Sequence, residues 1–212
     1  MDKKFNLSKI SSYFEEKFSK HGPTPNGLDW NSLESQNTRF DQITKVINSE
    51  ECYSIIDYGC GYGALFDYLS EKGHRFHYQG YDIVGKMIKE ANQIHKGQEN
   101  CIFTTFEKDL KQADYAVESG IFNLKLDADY NEWTDYVFQT LHKMDGLSIK
   151  GFAFNMLTKY SDHDFMKSTL YYADPCLYFD YCKKHFSRNI ALLHDYGLYD
   201  FTIIVRKETG NS

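Results

Sequence analysis

The sequence predicts an α/β fold: a doubly wound, seven-stranded sheet, mostly parallel, with a C-terminal antiparallel β-hairpin and a helical segment ahead of it. Three observations predict it. Residues 54–65, SIIDYGCGYGAL, pass from a β-branched run into a glycine-rich turn and then a helix. Strand patterns alternate with helical patterns through the middle of the chain, which implies a parallel sheet covered on both faces. Residues 189–207 then read as two strands joined by a short loop containing Gly197, the pattern of an antiparallel hairpin.

The first strand spans 54–58, where Ile55 and Ile56 supply the buried run. Gly59, Gly61 and Gly63 follow in alternation. Glycine tolerates φ > 0 and has no Cβ to obstruct a ligand. The next helix sets Leu65, Phe66 and Leu69 on one face and ends near Gly73. A second strand at 76–81 runs into Asp82, and an amphipathic helix follows with Val84, Met87, Ile88, Ala91 and Ile94. Further strands are expected at 101–104, 114–118, 150–156, 189–194 and 201–207, with helical patterns separating the first six.

Residues 1–50 form a helical segment ahead of one compact unit at 51–212. A first helix is expected over 7–19, with Ile10, Tyr13, Phe14 and Phe18 on one face. The run from His21 to Gly27 breaks it, using two of three prolines. A second helix starts near Asn31, with Glu34 three residues later as in a capping box. Its apolar stripe is Leu33, Phe40, Ile43 and Ile47, and Gln36 falls on the same stripe. A buried amide must find a hydrogen-bond partner. Gln36 and its neighbour Arg39 are therefore either core groups or groups held over a ligand.

At 212 residues the chain suits a single core. A net charge of −6 and the absence of an evident basic patch argue against nucleic acid as a partner. The first residues lack a signal-peptide core, and no stretch is long enough to span a bilayer. Five cysteines without a C-x-x-C pair suggest reduced thiols and a cytoplasmic protein. Cys182 and His185 share a helix, but no second ligand pair has metal spacing.

The loop alone leaves its ligand open. Gly59, Gly61 and Ala64 also satisfy the dinucleotide pattern, and a glycine-rich turn can hold nothing at all. Asp82 lies nineteen positions after Gly63, where a carboxylate can accept hydrogen bonds from ribose hydroxyls. It is equally placed to cap the following helix.

Asp57-x-Gly59-x-Gly61-x-Gly63, followed by Gly80-Tyr81-Asp82-Ile83, resembles the class I S-adenosylmethionine-dependent methyltransferases over residues 50–206. The resemblance implies a Rossmann-like fold, methyl transfer, and S-adenosylmethionine as cofactor with S-adenosylhomocysteine as product. It puts Asp57 and the glycines at the methionine end and Asp82 at the ribose. Tyr58 and Cys60 belong to the same loop, and Ile83 and Met87 follow the ribose carboxylate. Thr105 and Phe106 would pass close to the adenine, and Glu118, Ser119 and Gly120 would follow the fourth strand. Many small methyltransferases lid the site with an N-terminal helix, which would bring in Gln36 and Arg39. Dehydrogenases usually have an apolar residue where Asp57 stands, so a nicotinamide-dependent reductase is a rival reading.

Ligands bind outside the carboxyl ends of the strands. The loop at 118–123, the polar and aromatic segment 158–173 and the hairpin loop at 196–200 should therefore surround the transferred methyl group. Glu118-Ser119-Gly120-Ile121 departs from the Asn/Asp-Pro-Pro-Tyr/Phe motif of adenine and glutamine methyltransferases. Asp127 and Asp129 come too late for the acidic cluster of a catechol-type metal enzyme, so no metal is expected. A hydroxyl acceptor would need a base. His21, Glu118, His163, His194 and Asp200 lie on the proper edge, with His163 and Glu118 preferred as catalytic residues. Tyr58, Tyr62 and Phe122 are placed to offer a π face to the sulfonium. The expected acceptor is a small or sugar-derived molecule, methylated at oxygen; small bacterial enzymes of this layout often modify surface polysaccharides or their precursors. A nucleic-acid or protein methyltransferase and a non-catalytic cofactor-binding subunit stand as alternatives.

Overall fold

The β-branched run becomes β1 (Tyr53–Tyr58), at the centre of the sheet. A computed structural model describes residues 5–49 and 51–208. Two strands flank β1, both parallel to it: β2 (Phe76–Tyr81) and β4 (Ala113–Ser119). β3 (Cys101–Thr104) pairs with β2, and β5 (Ser148–Leu157) with β4, again in parallel. β7 (Asp200–Arg206) returns antiparallel beside β5, and β6 (Asn189–Leu193) closes the edge antiparallel to β7. The order is β3-β2-β1-β4-β5-β7-β6. It reverses between β1 and β4, the switch point at which open α/β sheets bind ligands.

Both faces are covered, as strands buried on two sides require. On one face α2 (Leu33–Ile43), α3 (Ala64–Glu71) and α4 (Gly85–Ile94) pack Phe40, Ile43, Leu65, Phe66, Ile88 and Ala91 against the sheet. On the other, α5 (Tyr130–Leu147) and α6 (Pro175–His185) bring Trp133, Val137, Leu141 and Tyr178 onto Ile56, Ala116 and Phe154. Fully burying one such side chain contributes roughly 1.5–3 kcal/mol. Helix starts are set by local chemistry. Asp129 accepts from the backbone N–H of Asn131 (2.8 Å) and Glu132 (3.3 Å), and Asp174 from that of Cys176 (3.0 Å), just before Pro175.

α1 (Ser8–His21) crosses the carboxyl end of the sheet. Its Ile10 joins the α5 side of the core, and its Phe18 packs with Tyr62, Val84 and Met87. α2 behaves differently, lying flat on β4, β5 and β7.

Four sequence expectations need correction. Only a 3-10 turn, Glu107–Asp109, joins β3 to β4, because that short connection leaves no room for a crossover helix. α2 is capped by Ser32, whose Oγ accepts from Ser35 N–H (3.1 Å), and not by Asn31. Leu33, the first residue of α2, is 60% exposed, while Gln36, Phe40 and Ile43 of the expected stripe are buried, and Arg39 with them. Ile94, the last residue of α4, is also exposed. Among the described residues no helix is long and apolar enough to cross a membrane.

Candidate active site

β1 delivers the chain into a loop laced to the end of β2. The N–H groups of Gly59 and Cys60 both donate to the Tyr81 carbonyl, at 2.7 and 3.0 Å. Gly61 N–H donates to Asp82 Oδ2 (2.9 Å), and Val84 N–H to Asp82 Oδ1 (2.8 Å). Gly59, Gly61 and Gly63 have φ of +97°, +56° and +93°, a region that L side chains rarely adopt. Space enforces the same choice. An ideal Cβ on Gly59 would stand 2.2 Å from Ile121 Cγ2, and one on Gly61 would stand 2.6 Å from Leu28 Cδ2.

Asp82 is thus no plain N-cap: it ties the glycine loop to the chain leading into α4. A carboxylate has about four acceptor positions, and the backbone N–H groups of Gly61, Val84 and Ile83 leave one open. Asp82 also borders a cavity of about 740 Å3. Such a volume is typical of small-molecule sites, which run roughly 300–1,000 Å3. The residues present therefore fit a ribosyl cofactor, with an acceptor for hydroxyls and bare backbone beside it.

Beneath the loop, Asp57 accepts from Tyr78 Oη–H at 2.6 Å. Burial pushes its carboxyl up to about 7; the charge of Asp82 adds to this and the Tyr78 hydrogen bond opposes it. Burial also raises Asp82, against the backbone N–H groups of Val84, Gly61 and Ile83. The Cys60 thiol is driven well up by the same burial, then by Asp57 and Asp82.

The cavity opens at the carboxyl ends of β1, β2, β4 and β5. Of the residues expected at the cofactor, Tyr58, Gly59, Asp82 and Ile83 border it, as do Met87, Ser119 and Gly120. Arg39 borders it too, but its guanidinium is committed. Nη2 and Nε donate to Asp200 at 2.6 and 3.3 Å, and Nη1 donates to the Ser35 carbonyl at 2.9 Å. Asp57, beneath the loop, and Cys60, Gly61 and Gly63 of the loop itself are buried and do not border the cavity. Gln36 is buried under α2, with neither amide atom hydrogen-bonded. Thr105 and Phe106 lie outside the cavity wall, and Phe106 is 61% exposed.

Neither preferred base borders the cavity. Glu118 is fully buried, and its Oε1 accepts from Ile121 N–H (2.7 Å). Burial raises its carboxyl well above the usual range. His163 is exposed, in a 3-10 turn between Ser161 and Phe165, both of which do border the cavity. Of the other base candidates, Asp200 is spent on Arg39, and His21 and His194 are exposed. Tyr62 and Phe122 are packed into the core and do not border the cavity.

Sequence reasoning missed several wall residues. Trp30 lies over Gly120, where an ideal Cβ would stand 2.5 Å from its Cζ2, and Arg39 stacks 4.3 Å from its ring centre. Glu107 closes the other end, receiving the Tyr58 hydroxyl and the Lys143 ammonium (2.8 Å). A tryptophan inside a Gly/Pro-rich connection was a readable signal for the first. Nothing local marked Glu107 or Lys143.

No family model matches the chain. A curated relative from Mycobacterium tuberculosis, "Putative methyltransferase Rv1506c", is 46% identical over 163 residues, which is 77% of this chain and 98% of the relative. Among solved structures, the DhpI–SAH complex has a TM-score of 0.64 at 12% identity, over 96% of this chain and 98% of that one. Magnesium protoporphyrin IX methyltransferase from Synechocystis PCC 6803, with bound SAM, has a TM-score of 0.53 at 13% identity, over 98% and 87%. These two likenesses show the fold. With 46% identity to a relative named a putative methyltransferase over 77% of its own length, and with this sheet order and loop, the chain belongs to the class I S-adenosylmethionine-dependent methyltransferases.

Proposed function

We propose that this protein binds S-adenosylmethionine across its glycine loop and transfers the methyl group to a hydroxyl oxygen of a small acceptor, sugar-derived molecules included. The observation that carries the reading is Asp82, a buried carboxylate that holds the loop by one oxygen, the α4 entry by the other, and still borders the cavity. When bound, S-adenosylmethionine supplies a methyl group already activated on a sulfonium. Asp82, ionised at the cavity wall, would favour a cationic ligand nearby. The chain's own work is then to align the acceptor and exclude water. His163, flanked by two cavity residues, is the proposed base; Glu118 serves by holding the backbone at Ile121. The segment before residue 51 acts as the lid chiefly through α1, whose Ile10, Tyr13 and Phe14 face the cavity. The net charge of −6 speaks for a small acceptor over nucleic acid. Calorimetric titration with S-adenosylmethionine and with NADH tests the reading. Saturable binding of the first alone is expected, and binding of NADH alone would sink it. Asp82→Ala should weaken the cofactor by about tenfold or more, the loss of one charged hydrogen-bond acceptor.

A further inference from the structure

The cavity wall carries a cluster of apolar side chains, with polar neighbours such as Lys167 beside it. Ile10 and Phe14 come from α1, Leu124 and Leu126 from the connection after β4, and Leu170 from the connection after β5. Leu126 is unusual among them. Its φ is +52°, and among the described non-glycine residues only it and Asp29 lie at positive φ. Both border this cavity. Aspartate tolerates that region; a bulky leucine is disfavoured there because its Cβ crowds the backbone.

The surrounding bonds hold Leu126 in place. Thr169 O accepts from the N–H groups of Lys125 and Leu126, at 3.0 and 2.9 Å. Lys125 Nζ donates to the carbonyls of Leu126 (3.4 Å) and Ala128 (3.1 Å). Leu124 is bridged to Leu170 one step away. Glycine or asparagine would take this backbone without strain. Leucine there puts an isobutyl group on the cavity wall, and strained residues held by surrounding bonds cluster at active sites, ligand clamps and switches. We propose that the methyl acceptor carries its hydroxyl on an apolar body, a ring or an alkyl chain, and that Leu126 selects for that body. The proposal rests on the methyltransferase reading above and narrows its acceptor: a bare sugar would leave this wall wet.

Two probes with the same sugar hydroxyls separate the cases: octyl β-glucoside, below its micelle concentration, and methyl β-glucoside. Each is titrated calorimetrically into the protein with and without saturating S-adenosylhomocysteine. The octyl glucoside should bind about tenfold tighter or better, the worth of a few buried methylenes. Leu126→Gly and Leu126→Asn, both suited to the backbone, should each weaken that binding about tenfold. Their S-adenosylhomocysteine affinity and melting temperature should hold. Equal affinity for the two probes, no binding of either at millimolar concentration, or a matching loss of S-adenosylhomocysteine affinity in the variants would overturn the proposal. Failure to bind S-adenosylhomocysteine at all would instead strike the methyltransferase reading, and the probe contrast would still be read on the free protein.

Discussion

Two buried ionisable residues, Asp57 in β1 and Arg39 in α2, carry testable consequences. Asp57 ionises near 3.8 when unfolded and near 7 in the fold, because burial disfavours its charge. Between those pH values the folded protein keeps a proton that the unfolded chain has lost, so stability falls as pH rises through that window. Asp57→Asn should flatten the fall. Scanning calorimetry from pH 4 to about pH 8 should then show a higher melting temperature than wild type at the alkaline end. Cofactor affinity should drop in the same variant, the pattern of stability given up for a function. Arg39 is the opposite case. Its partner Asp200 is fully buried, so Arg39→Ala strands a carboxylate and should cost about 3–5 kcal/mol in urea unfolding. The pair Arg39→Met with Asp200→Asn should recover most of that loss; a single variant as stable as wild type would contradict the ion pair's role.

At the scale of elements, α1 and α2 divide the labour of the N-terminal segment. Both are legible as helices, because apolar spacing marks them, yet their phases and roles are set by packing. The cap on α2 lies one residue further on, at Ser32, and Leu33, the first residue of the helix, is exposed, while Gln36 is buried on the stripe as its spacing predicted. Ser32→Ala should therefore cost about 1 kcal/mol, while Leu33→Ser should change stability by less than about 0.5 kcal/mol, both read by urea unfolding. The reverse ranking would mean that α2 is capped elsewhere. The strands were legible nearly to the residue, since β-branched and aromatic runs end at glycine or polar breaks. The β3–β4 connection was not, because a 3-10 turn carries no periodicity that distinguishes it from a short helix.

At the scale of the whole molecule, the cofactor half of the site is written locally and the acceptor half is not. Gly59 and Asp82 sit within one strand–loop–helix–strand unit, and their spacing alone pointed to the cradle. Trp30, Glu107, Leu126 and Tyr172 come from four separate connections, and only the closed fold makes them neighbours. Glu118 shows the converse limit: its place near the end of β4 was readable, but its turn into the core was not, because that depends on Ile121 and the covering helix α5. The family and the sheet order support the donor side, and the proposed selection by Leu126 concerns the acceptor side. A crystal structure with S-adenosylhomocysteine bound tests this division most directly. The account predicts ribose hydroxyls on Asp82, the homocysteine end along Gly59, and the sulfur facing the space between Gly120 and Leu126. Density for the ligand away from the glycine loop, or none at saturating concentration, would contradict it.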